Sequence, residues 1–187
     1  MQTDMKTEKL YVVLVRCNTI LSKMIRYTTQ ADYTHAAISL DKDLNNMYSF
    51  SRRYTNYPFM GCFRNERFDG NGLYAKQYEV PGIILEIPVT KEEYNKAASI
   101  IENFVENSHL YKYNYLGLIC NFIGVDLQRE NRFLCSEFVY HVLYDSEICN
   151  FGIPRGLIRP QNFLTQIKAN IVYEGDLKQY VQKALAA

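Results

Sequence analysis

The run LYVVLV from Leu10 to Val15 constrains this chain most. It is unbroken, apolar and rich in β-branched residues, so it reads as a buried strand inside a sheet. The flanking segments supply partners. THAAISL, from Thr34 to Leu40, reads as a strand, and Asp41 to Asn46 carries turn chemistry, with Asp and Asn able to bond their own backbone. MYSFS, from Met47 to Ser51, returns as the second arm of a hairpin. A further strand runs over 78–89 and ends in GIILEIPV. Immediately after it, Thr90 and Glu93 form a T-x-x-E capping box, and Tyr94, Ala97, Ala98, Ile101, Phe104 and Val105 make one helical stripe.

Shorter elements follow the same logic. Helical spacing predicts helices over 19–27, 113–123, 133–143 and 162–167, with a Gly/Pro turn over 152–160 and a last strand over 171–173. The stretch 52–72 is polar, aromatic and punctuated by Gly and Pro, and reads as a long irregular excursion of the kind that carries function. With no repeat or low-complexity linker, residues 1–187 form one domain of class α+β, helices packed on an antiparallel sheet.

Charge excludes several function classes. The net charge is +1, and no Lys/Arg block suggests nucleic acid or an anionic membrane as partner. No apolar stretch is long enough to span a membrane, and the first residues lack a basic start and a small-residue cleavage site, so a cytoplasmic protein is expected. Five cysteines, at 17, 62, 120, 135 and 149, are irregularly spaced and suit free thiols. There is no CxxC pair, and His35, His109 and His141 lack ligand spacing with Cys; neither a metal site nor a cofactor is expected.

Two residues stand out chemically. Cys135, in FLCSEFVYHVL, lies at the front of a helix, where free N–H groups and the positive dipole end favour thiolate and can hold an oxyanion. It also shares helical spacing with Phe138, Val139 and Val142, so a buried core role fits the same pattern. His35 opens an apolar strand beside Ala36 and Ala37, small residues that leave room for a partner at the ring. His141 lies six residues after Cys135, about 240° round the helix, and cannot reach that thiol. The return strand then offers Ser49 opposite His35, with Ser51 on the same face and Tyr48 as another candidate, to orient the imidazole. Tyr113, Tyr115 or Asn131 can supply a second oxyanion donor. Arg52, Arg53, Arg64 and Arg67, interleaved with Tyr54, Tyr57, Phe59 and Phe63, are candidates for substrate recognition.

A strand beginning with His, a turn, a short polar-faced strand and a much later helix beginning with Cys resemble the permuted NlpC-type papain-like hydrolases, the YiiX-like group related to lecithin-retinol acyltransferase. The resemblance covers roughly residues 11–142, through short motifs. It implies a circularly permuted papain-like fold, in which the His strand precedes the Cys helix, and thiol acyl chemistry on an amide or ester. It matches Cys135 to the nucleophile, His35 to the base and Ser49 to the orienting position, where relatives often carry His, Glu or another strong partner. The expected partner is a small-molecule, peptide or acyl substrate. A lipid-directed acyltransferase, a silent acyl- or peptide-binding module and a cell-wall peptidase are the competing expectations.

Overall fold

A computed structural model describes residues 7–16, 32–54, 57–68, 74 and 77–186, the backbone alone at 52–54 and 57–60. The helix expected over 19–27 lies outside the described residues.

The apolar run Leu10–Val15 forms most of β1 (Glu8–Val15), and every one of its side chains is buried. β1 lies between two antiparallel partners, β2 (His35–Ser39) and β5 (Pro81–Val89). With β3 (Met47–Tyr54), β4 (Tyr57–Glu66), β6 (Lys112–Tyr113), β7 (Arg132–Phe133) and β8 (Asn170–Asp176), they make one eight-stranded sheet in the order β7-β6-β4-β3-β2-β1-β5-β8. Every pairing is antiparallel except that of β6 with β7.

Both faces of the sheet are covered, which is why β1 shows no alternation. On one face Leu10, Val12, Leu14, Ala36, Ile38 and Phe50 meet α1 (Lys91–Glu106) and α3 (Cys135–Asp145). Phe138 of α3 is fully buried here and packs its ring 5.6 Å from Phe50 and 5.0 Å from Phe104 of α1. Burial of a side chain of that size stabilises the fold by roughly 1.5–3 kcal/mol. On the other face Tyr11, Val13, Val15, Ala37 and Met47 pack with Tyr74 and with Leu177 and Val181 of α5 (Leu177–Leu185). Two further helices, α2 (Tyr115–Phe122) and α4 (Pro160–Gln166), complete the described elements together with a 3₁₀ turn at Arg155–Leu157.

The α1 capping box forms as the sequence predicts: Thr90 Oγ1 accepts from the Glu93 N–H at 3.1 Å, and Glu93 accepts from the Thr90 N–H at 2.7 Å. The irregular excursion expected over 52–72 is instead largely sheet. β3 continues to Tyr54 and β4 returns antiparallel beside it, with a register shift between Arg52 and Tyr54. Phe63, grouped above with recognition aromatics, points into the core, where its ring lies 5.6 Å from Phe50 and 5.3 Å from Phe138. α5 was not anticipated from the sequence; Asp176 caps it through the Lys178 N–H.

Candidate active site

The β2–β3 hairpin sets the geometry. Ile38 pairs with Tyr48 and Ser39 with Met47. Carried along the strands, this register places Ser51, and not Ser49, across from His35. Strand alternation puts His35, Ala37, Ser49 and Ser51 on the Met47 side of the sheet. β4 adds one decisive residue to that side. Glu66, its last residue, lies opposite Met47 and is 1% exposed.

Glu66 gathers three donors. His35 Nε2 lies 3.1 and 3.2 Å from its two oxygens, Ser49 Oγ donates at 2.5 Å and the Tyr74 hydroxyl donates at 2.9 Å. Ser49 therefore binds the carboxylate and not the imidazole. This replaces the expected Cys135–His35–Ser49 set with one in which Glu66 orients the ring and Ser49 holds Glu66. The physical reason is the two-residue difference in hairpin register, together with a fourth strand that brings an acid to the same face.

On the other side of the ring stands Cys135. Its sulfur lies close enough to His35 to act on the ring, and both residues are buried, at 7% and 6% exposure. With Nε2 committed to Glu66, Nδ1 is the nitrogen left to serve the sulfur. Burial alone would lower the His35 pKa, but the Glu66 charge, with a smaller contribution from the neighbouring Cys135 sulfur, outweighs it and holds the imidazole pKa well above its usual value. Burial likewise works to raise Glu66, yet the His35 charge and the bonds from His35 and Ser49 bring it from 4.5 down to about 2. Ser51 lies beside the same carboxylate, and its hydroxyl dipole adds a smaller lowering without a hydrogen bond of ordinary geometry.

Cys135 is the first residue of α3, which packs its apolar stripe against β2 and β3. The preceding residue, Leu134, occupies the N-cap with extended backbone and has no side-chain acceptor. The first-turn N–H groups thereby receive no acceptor from the N-cap side chain. The Leu134 N–H itself donates to Glu137 Oε2 at 2.5 Å, which keeps the turn in place. Burial pushes Glu137 up to about 7, against the opposing effects of the Leu134 N–H, Asn114 and Arg155.

The thiol opens on a cavity of about 60 Å³. Tyr33, Tyr113, Leu118, Phe122 and Ile158 make its walls mostly apolar, and Asn121 and Arg159 are its chief polar members. Tyr113 lines this cavity, and it crosses Gly61 of β4 so closely that a Cβ there would meet Tyr113 Cβ at 2.6 Å. Tyr115 lies behind it, ring centroids 4.8 Å apart, and does not line the cavity. Asn131 serves a turn: it has φ of 53° and its carbonyl accepts the Lys112 N–H. Arg52 and Arg53 are on β3, and their side chains lie outside the described residues.

The remaining candidates fall elsewhere. His141 pairs with Asp145 at 3.1 Å on the far part of α3, and His109 is exposed. Cys62, Cys120, Cys135 and Cys149 are free thiols, and no group of three or more His, Cys, Asp or Glu among the described residues could hold a metal ion. No described helix is long and apolar enough to cross a membrane.

Glu66 is the functional residue that sequence reasoning missed. The signal was available in the alternation of β4: Phe63 and Asn65 point one way, Cys62, Arg64 and Glu66 the other, so a β3–β4 hairpin would have delivered an acid to the His35 face. A buried thiol beside an imidazole that a carboxylate holds, set at a helix N-terminus next to a cavity, is the kind of arrangement that nucleophilic acyl chemistry requires. No protein-family model matches the chain, and comparison with curated proteins and with solved structures likewise returns no match.

Proposed function

We propose that the protein is a cysteine-dependent hydrolase of the amidase or peptidase type, with the circularly permuted papain-like plan its sequence resembles. The observation that carries this reading is the buried grouping of Cys135 beside His35, whose Nε2 lies 3.1 and 3.2 Å from the Glu66 carboxylate oxygens. In the reactive pair the proton given up by the thiol is held on His35, and the sulfur adds to the carbonyl of an amide or ester. The first-turn N–H groups of α3 hold the oxyanion. The carbon–leaving-group bond then breaks, His35 protonates the departing amine or alcohol, and a water activated by His35 hydrolyses the thioester. Glu66 keeps Nε2 protonated, so that Nδ1 faces the sulfur, and balances the imidazolium as it forms. Ser49 and Tyr74 fix the carboxylate in turn.

Iodoacetamide, read by peptide mass spectrometry, tests the assignment. Cys135 is expected to alkylate fastest of the five thiols, with Cys149 slowest among those described, because burial pushes the latter to about 12. Conversion of Cys135→Ala should abolish turnover of any amide or ester substrate and leave the fold intact. Faster labelling of Cys17 or Cys62 would remove the proposal.

A lipid-directed acyltransferase is the second reading, favoured by a specific feature. Leu116, Ile119 and Ile123 are more than half exposed on and just after α2, whose Leu118 and Phe122 line the cavity. An exposed apolar face beside the thiol would suit contact with lipid. Flotation with neutral phosphatidylcholine vesicles discriminates: protein in the floated fraction supports this reading, and protein left in the dense fraction removes it.

A further inference from the structure

The cavity beside Cys135 is lined by a cation with no counter-charge among the described residues. Arg159 lines it and is half-buried, yet it forms no ion pair with a described residue. Its guanidinium is nonetheless fixed. Nε donates to Asn121 Oδ1 at 3.0 Å and Nη2 donates to the Asn121 carbonyl at 2.8 Å. Asn121 is itself buried, and its side-chain amide donates to the Gly156 carbonyl at 2.7 Å. Two of the five guanidinium N–H donors are used in this way; Nη1 and the remaining Nη2 hydrogen have no partner among the described residues and are open to a ligand. A guanidinium pre-oriented by neutral groups in a largely apolar cavity is a site for one anionic oxygen group.

Size and distance narrow the ligand. About 60 Å³ is less than half of the roughly 150 Å³ that admits a benzene ring, so the apolar walls suit an alkyl group of about two to four carbons. Cys135 and Arg159 line the same small space, so the anion lies only a few bonds from the carbonyl that the thiol attacks. A single guanidinium balances a monoanion, which favours a carboxylate over a phosphate dianion. The shortest arrangement that meets all three conditions is an amide whose nitrogen belongs to an amino acid with a free α-carboxylate.

We infer that the cavity beside Cys135 is the specificity site for amides of small apolar amino acids, Val-like in size, whose free α-carboxylate is held by Arg159. This rests on the reading of Cys135 as the nucleophile. In the reaction the thiolate adds to the amide carbonyl and the C–N bond breaks. The amino acid leaves with a proton from His35, and water hydrolyses the acyl thioester, its hydroxyl going to the acyl carbon and its proton returning to the Cys–His pair.

The test compares three alkylating probes on the whole protein: iodoacetamide, N-chloroacetyl-valine and N-chloroacetyl-valinamide, with the rate at Cys135 read by mass spectrometry. The acid is expected to react faster than the amide by about ten- to hundredfold, the worth of a hydrogen bond to a charged group. In Arg159→Gln the acid-to-amide ratio should fall to about one, while Arg159→Lys retains part of it. A ratio near one in the wild-type protein overturns the inference whatever the variants do, and leaves the nucleophile assignment standing if iodoacetamide still selects Cys135. If iodoacetamide selects another thiol, the nucleophile assignment fails and the inference fails with it.

Discussion

Glu66 shows how much one residue decides. An imidazole closed off from water needs a reason to be charged, and the buried carboxylate 3.1 Å away is that reason. Glu66→Gln keeps the shape and the capacity to bond Ser49 and Tyr74 but removes the charge. The His35 pKa should then fall, and the Cys135 alkylation rate at pH 7 should drop by about one to two orders of magnitude, within the range that positioned acid–base groups contribute. Glu66→Asp, which restores the charge on a shorter stem, should recover part of the rate. A Glu66→Gln rate within twofold of wild type would make Glu66 a packing residue only. Ser49→Ala should cost less than Glu66→Gln, because Tyr74 and His35 still hold the carboxylate.

At the level of elements, legibility tracked how strongly each segment advertises its period. β1, β2, β5 and α1 were readable because continuous apolar runs and a reciprocal cap leave little alternative. α3 was legible over 133–143 from its apolar spacing, and it runs two residues later at each end, Cys135–Asp145. β4 was not. Its face toward the α1 and α3 layer carries Phe63 and Asn65, and its other face carries Cys62, Arg64 and Glu66, so polar and apolar residues do not separate cleanly. A polar side chain on a sheet face normally argues for solvent; here it argues for a site, because Ser49, Tyr74 and His35 satisfy the buried acid. The register of the β2–β3 hairpin was the second difficulty. A turn read two residues short leaves the strand faces correct and shifts the pairing, which is how Ser49 came to stand where Ser51 belongs. The proximity of Cys135 to His35 depends on which strand and which helix meet, and not on the hairpin register.

For the whole molecule, three buried ionisable groups combine into one stability curve. Glu66 has its pKa depressed from 4.5 to about 2, so its contribution is complete above 4.5 and is lost as pH falls toward 2. His35 has its pKa raised well above 6.5, so its contribution is complete below 6.5 and is lost as pH rises through the folded value. Glu137 has its pKa raised from 4.5 to about 7: the folded chain keeps a proton that the unfolded chain releases, so stability falls as pH rises from 4.5 to about 7. The three together predict a maximum on the acid side, near about pH 5, with loss in both directions. Thermal midpoints measured from pH 3 to 9 check this, and a midpoint that climbs steadily from pH 5 to 8 would refute it. Glu137→Gln separates the contributions. A Gln carbonyl can still accept the Leu134 N–H, so the first turn of α3 keeps its bond. The decline between pH 4.5 and 7 should then flatten, while the loss above 6.5 that belongs to His35 remains. The His35–Glu66 pair beside Cys135 therefore also sets the alkaline limit of the fold, because it joins β2 to the end of β4.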